Sequence, residues 1–162
     1  MTKIRLQKTQ HKSIYIKLVS WLLAGFIPIM SGFLIAPQVK AADIVVYKSP
    51  TCGCCSAWIK HLQKNGFSVE MHDRKNMQLV KNSLGVPNHL QSCHTALVGD
   101  YIVEGHVPAD DITRLLKEKP SVKGVTVPGM PMGSPGMEGP RKDKYDVLTF
   151  EKNGKTRVYS SY

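Results

Sequence analysis

Thr51-Cys52-Gly53-Cys54-Cys55 places three thiols within four positions, and Cys93 is the fourth cysteine of the chain. Cys52 and Cys55 are spaced i, i+3, the spacing at which two sulfurs converge on one helical turn as a redox pair. Cys54 does not fit that chemistry. A two-cysteine redox centre needs one attacking and one resolving thiol, and a third adjacent thiol invites wrong pairing. Clustered thiolates suit a metal better. Four sulfurs accept copper(I), zinc or an iron-sulfur cluster, and thioethers tilt the choice towards copper(I). Met130, Met132 and Met137 supply such thioethers from a Pro/Gly-rich stretch, Val127-Pro-Gly-Met-Pro-Met-Gly-Ser-Pro-Gly-Met137, that has neither helical nor strand periodicity. They are candidate soft ligands, with flexible cover of an apolar groove as the alternative. His94, beside Cys93, and His106, in Glu104-Gly-His-Val-Pro108, are further candidate ligands at the mouth of the same site. His61, His72 and His89 lack such neighbours and are read as structural, and Met71 and Met77 as core.

These side chains need a scaffold that brings Cys93 to the Cys52 turn. Asp43–Ser49 is a β-branched run closed by Ser49-Pro50, and reads as a first buried strand. A helix is expected from about Cys54 to Lys64, with Trp58, Ile59 and Leu62 on one face and Asn65-Gly66 as its stop. Phe67–His72 alternates as a second strand, Asn76–Leu84 gives a short helix, and Thr95–Val98 with Tyr101–Val103 form a hairpin about Gly99-Asp100. Pro108 opens a third helix that ends before Pro120, and Val147–Phe150 with Arg157–Tyr159 flank Asn153-Gly154 as a terminal hairpin. The order strand, helix, strand, helix, strand, strand, helix is that of an α/β, thioredoxin-like single domain, here followed by the Met/Pro/Gly loop and a β-hairpin. In that order the Cys52 turn opens the first helix, where unpaired backbone N–H groups and the helix dipole stabilise thiolates. The loop before the third strand lies alongside, so Cys93 can supply a fourth sulfur. Thioredoxins carry a cis proline in that loop. Here the nearest proline is Pro87, a departure that counts against thiol exchange.

The chain carries +10, from 22 basic against 12 acidic side chains, a balance that first suggests an anionic partner. The excess sits at one end. Residues 1–42 hold six of the basic groups and no acid, leaving 16 against 12 in residues 43–162, an ordinary solubility charge. No basic stripe interleaved with aromatics is left, which argues against nucleic acid. Met1–Lys17 is cationic, Leu18–Ile35 almost wholly apolar, and Val39, Ala41 and Ala42 are small, the layout of a signal peptide cleaved near Ala41 or Ala42. An uncleaved leader is the alternative, since 18 helical residues reach about 27 Å, close to the hydrocarbon thickness of a bilayer. Contact with a membrane is then expected only through that leader. Residues 43–162 would form the exported domain, in a compartment where thiols end as disulfides or metal ligands.

Tyr47-Lys-Ser-Pro-Thr-Cys-Gly-Cys-Cys55, Ser92-Cys-His-Thr95, Val103-Glu-Gly-His-Val-Pro108 and the Val127–Met137 loop together resemble the CopG-type proteins, a formerly uncharacterised family linked to bacterial copper resistance. The match runs over roughly residues 43–151. The resemblance implies a thioredoxin-like fold, a periplasmic location, and copper held by Cys52, Cys54, Cys55 and Cys93. It also implies a multinuclear copper(I)-thiolate cluster that cycles copper between redox states, and partners that export or oxidise copper in the cell envelope. The expected role is thus a periplasmic copper-binding protein of copper resistance, in the periplasm or anchored to the inner membrane facing it, with copper-dependent oxidoreductase activity as an open extension. Two other readings compete with it. One is a periplasmic thiol-disulfide oxidoreductase using Cys52 and Cys55, with Cys54 and Cys93 as a structural or resolving pair. The other is an exported domain with two disulfides, disfavoured because joining adjacent Cys54 and Cys55 is strained and a core of this length needs no staples.

Overall fold

The computed structural model describes residues 43–162; the expected leader and its cleavage site lie outside the described residues. A seven-stranded sheet runs in the order β2-β1-β3-β4-β5-β6-β7. Its strands are β1 (Ile44–Lys48), β2 (Val69–Asp73), β3 (Thr95–Val98), β4 (Tyr101–Glu104), β5 (Gly124–Thr126), β6 (Asp146–Phe150) and β7 (Thr156–Ser161). The helices are α1 (Gly53–Lys64), α2 (Met77–Leu84) and α3 (Ala109–Glu118). β1 and β2 pair in parallel through α1, β3 turns back antiparallel to β1, and β4 closes the hairpin with Thr95 opposite Glu104. The expected α/β class, element order and terminal hairpin are present.

Alternation along the strands divides the side chains between two faces. Ile44 and Val46 of β1, Ala96 and Val98 of β3, Val103, Val125 and Val147 meet Trp58 and Leu62 of α1 and Ile112 and Leu115 of α3 in the main core. Fully burying a side chain such as Leu62 stabilises the fold by about 1.5–3 kcal/mol. The opposite face carries Ile102 and Phe150, covered by Val86, Leu90 and, at its margin, Leu84 from α2 and the turn that follows it. α3 has Asp110 and Asp111 in its first turn, where the helix dipole favours acids. Asp111 is also an anchor for the terminal hairpin: its carboxylate accepts from Ser160 Oγ at 2.7 Å and Tyr162 OH at 2.8 Å.

Three local expectations differ. β5 was not expected: a three-residue strand, Gly-Val-Thr, is too short to alternate, and only its place between β4 and β6 makes it a strand. Met71, expected in the core, is 49% exposed because β2 is an edge strand. In α2, which the sequence marks only as a short helix, the apolar Leu79 is exposed while the buried residue is Lys81.

Candidate metal centre

The Cys52 turn is built by the start of α1. Cys52 is the N-cap, in extended backbone conformation, and its Sγ accepts from the Cys55 N–H at 3.3 Å, so a sulfur takes the place of the usual capping oxygen. Cys55 sits in the first turn, fully buried. Cys52 and Cys55 are joined by a disulfide, and Cys54 and Cys93 are free thiols. Cys54 Sγ lies 3.5 Å from Cys52 Sγ. The four sulfurs, three from the start of α1 and one from the loop before β3, all lie within 4.8 Å of one another. The pairing of Cys52 with Cys55 is the one that the oxidoreductase reading invoked. The two-disulfide reading would need Cys54 and Cys93 to close as well, and they are open.

Cys93 belongs to a second cluster. Its Sγ is 3.2 Å from His94 Nδ1 and 3.0 Å from His106 Nε2, and these three ligand atoms also lie within 4.8 Å of one another. The β3–β4 register explains the meeting, because His94 immediately precedes β3 and His106 follows β4 by two residues, with the Gly105 N–H donating to the His94 carbonyl at 3.1 Å. Gly105 has φ +72°, and a Cβ there would lie 2.6 Å from both Ser92 and the Val127 carbonyl, so only glycine lets the two loops touch.

Both histidines are fully buried. The His106 Nδ1 is 2.7 Å from the Pro135 carbonyl. A carbonyl only accepts, so Nδ1 carries the proton. Burial lowers the His106 pKa, which leaves the ring neutral with the Nε2 lone pair aimed at Cys93. Backbone carbonyls fix metal-binding imidazoles in the same way. Burial holds His94 well below the ordinary histidine range, helped by His106 and Lys81 nearby, while its ring packs 4.2 Å from Trp58. Among the described residues, the buried His94 Nε2 has no hydrogen-bond partner. Burial, with Cys54 as the next contribution, pushes the Cys93 thiol up to about 12, so Cys93 is protonated at neutral pH.

The methionine loop folds over this end of the molecule. Ser92 Oγ donates to the Gly129 carbonyl, Pro135 binds His106, and Gly136 (φ +86°) lies so close to α1 that a Cβ would come within 2.7 Å of Cys54 O and Trp58 N. Within the loop, Ser134 Oγ donates to the Pro131 carbonyl at 2.7 Å and Met137 N–H to the Ser134 carbonyl at 2.8 Å. Met130 is half exposed, and Met132 and Met137 are partly buried on this loop. Of the remaining histidines, His61 accepts from the Ala109 N–H at 3.1 Å and so caps α3, and His72 pairs with Glu70. Sequence reasoning did not find Pro135, whose backbone carbonyl has no signature, or the buried Lys81.

The donor set is soft sulfur with neutral imidazole, which fits a thiophilic transition metal better than a hard cation. No helix among the described residues is long and apolar enough to cross a membrane. Comparison with known proteins bears on the fold and the cysteine loops together. The family model described as a protein of unknown function, DUF411, matches residues 90–137. No curated protein matches the chain. Two solved structures titled "Copper resistance protein copG", Form 1 and Form 2, are each 47% identical with a TM-score of 0.71; the alignments cover 76% of this chain and 98% and 99% of theirs. At that identity over nearly the whole of those chains, the chain belongs to the CopG family.

Proposed function

We propose that the protein binds copper(I) as cargo in copper resistance, outside the cytoplasm, through the thiolates of Cys52, Cys54, Cys55 and Cys93. The observation that carries this is the convergence within 4.8 Å of three sulfurs at the start of α1 and one from the loop before β3. Soft thiolates prefer copper(I), and the copper resistance title of the CopG relatives supports the same metal over zinc. Cys93 belongs to both ligand groups, the one on the Cys52 turn and the one towards His94 and His106, and this sharing supports a multinuclear reading of the site. Met130, Met132 and Met137, on the loop that closes over the cysteines, load or guard it. The cationic and apolar leader delivers the domain to the periplasm, and copper export or oxidase proteins of the envelope are its partners.

The disulfide fixes what must happen before a four-thiolate site can form. Cys52 and Cys55 must gain two electrons and two protons to become thiols, and must then lose the protons to bind. In the reverse direction the two thiolates release two electrons as the S–S bond closes, which balances reduction of two copper(II) ions to copper(I). A competing reading, favoured by that disulfide, is thiol-disulfide exchange with protein substrates. Anaerobic titration of the reduced protein with copper(I) against a competing chelator, with Cys93→Ser alongside, separates the two. Several tightly held ions, fewer in the variant, support the copper site. Binding that is weak or indifferent to Cys93, together with insulin reduction lost in Cys52→Ser, moves the function to disulfide exchange.

A further inference from the structure

Lys81 and Glu104 form an ion pair that is almost wholly buried, with side chains 5% and 0% exposed and Nζ 2.5 Å from Oε1. The pair is expensive for a core, since taking two charges out of water offsets much of their attraction, and an apolar pair of similar shape is often no less stable. Its hydrogen bonds lead to one place. Glu104 Oε1 accepts from the Ser92 N–H at 2.6 Å, and Oε2 accepts from Thr95 Oγ1 at 2.6 Å. Lys81 Nζ in turn donates to Thr95 Oγ1 at 2.9 Å. Ser92 and Thr95 bracket Cys93 and His94, so one carboxylate grips the chain on both sides of these two residues.

We infer that Glu104, held by Lys81, is the positioning residue that fixes the Cys93-His94 segment against the Cys52 turn and His106. α2 therefore contributes to the site through its one buried residue, Lys81, without touching a sulfur. The segment has no regular structure of its own between the turn at Asn88–Leu90 and β3. A loop so placed needs an external anchor for its backbone N–H groups, and a carboxylate is the strongest neutral-pH acceptor available. The inference extends the copper reading to a residue pair that binds no metal, but its test can be read without metal.

The test compares alkylation of Cys93 and Cys54 by iodoacetamide in the metal-free protein, followed by mass spectrometry of the two cysteine peptides. Lys81→Met with Glu104→Leu removes the charges and the anchor together. Cys93 should then react about ten-fold faster, the size expected from losing a hydrogen bond to a charged acceptor, while Cys54 on α1 stays within about two-fold of the wild type. Lys81→Met with Glu104→Gln keeps an amide oxygen for the Ser92 N–H and should return Cys93 close to its parent rate. General loosening of the fold would speed both cysteines alike and would overturn the inference, as would an unchanged Cys93 rate. If the apolar pair fails to fold, Thr95→Val decides in the same assay: it removes one of the two grips of the carboxylate and leaves the one at the Ser92 N–H, so a smaller but selective rise at Cys93 supports the anchor and an unchanged Cys93 rate refutes it. Copper(I) affinity of the reduced variants should fall with the rise in Cys93 reactivity. Loss of the correlation with copper, when the alkylation ratio behaves as expected, would count against the copper reading and leave the positioning role standing.

Discussion

Cys93 Sγ and His106 Nε2 are 3.0 Å apart, and the imidazole nitrogen that faces the sulfur is the one left without a proton. The Pro135 carbonyl, 2.7 Å from Nδ1, enforces that tautomer from the methionine loop. A neutral, oriented imidazole beside a thiol is a mixed sulfur and nitrogen donor pair of the kind that suits a soft or borderline ion. His106→Ala should lower copper(I) affinity at least about ten-fold in competition titration, in the range by which metal-site support residues usually act. His61→Ala, which disturbs the cap of α3 instead, should leave affinity near wild type. Equal losses in the two variants would show that His106 acts through stability and not at the site.

The disulfide divides the four sulfurs into two that are bonded and two that are free. The oxidised protein, unfolded in denaturant without reductant, should therefore give two titratable thiols, and four after reduction. Copper(I) stoichiometry should rise with reduction. Cys54→Ser should lower it again in the reduced protein, because Cys54 Sγ is 3.5 Å from Cys52 Sγ within the same group of ligand atoms. A count of bound copper that ignored both reduction and Cys54 would sink the four-sulfur site.

Burial makes the Cys93 proton hard to remove, and this sets the pH response in two opposite senses. The thiol is raised from an ordinary 9.0 to about 12 in the fold. The folded chain holds the proton more tightly than the unfolded chain, so this contribution to stability is complete below pH 9 and is lost as pH climbs towards 12. Metal binding runs the other way, since the ion must displace the proton and alkali assists it. Apparent copper(I) affinity should therefore rise between pH 6 and 8 by about ten-fold per unit for each thiol proton released, with matching proton release in unbuffered titration. A flat profile would mean that Cys93 is not a ligand.

The element order and the Cys52 turn were legible in the sequence because each rests on a local signal. Trp58, Ile59 and Leu62 repeat at helical spacing, and all three are buried as expected. The convergence of Cys93 with that turn was also inferred, from the order of strands alone. What could not be read is tertiary in origin. β5 has three residues and owes its existence to Ile102 and Phe150 on either side. Lys81 looks like any helical surface lysine until Glu104 is seen beneath it, and Leu79 is exposed although apolar. The histidines were ambiguous for a similar reason: His94 and His106 are twelve residues apart, and only the β3–β4 hairpin brings them to one sulfur.

Gly136 is where the methionine loop meets the cysteine helix. Its φ of +86° is open to glycine at little cost, and a Cβ would come within 2.7 Å of backbone atoms of Cys54 and Trp58, which cannot swing aside as a side chain could. Gly136→Ala should therefore lift the loop locally or destabilise the fold by about 1–3 kcal/mol, the usual cost of a backbone made incompatible with its residue. Local lifting is expected, because the loop is tied to itself through Ser134 and need not unfold to move. Loss of the Pro135 contact would release the His106 tautomer, so copper(I) affinity should drop more than thermal stability does. Trp58 fluorescence would report the change where the approached backbone of Trp58 shifts its indole against His94. A Gly136→Ala protein with wild-type fluorescence and copper affinity would show that the loop can seat a side chain there and that it does not hold the site closed.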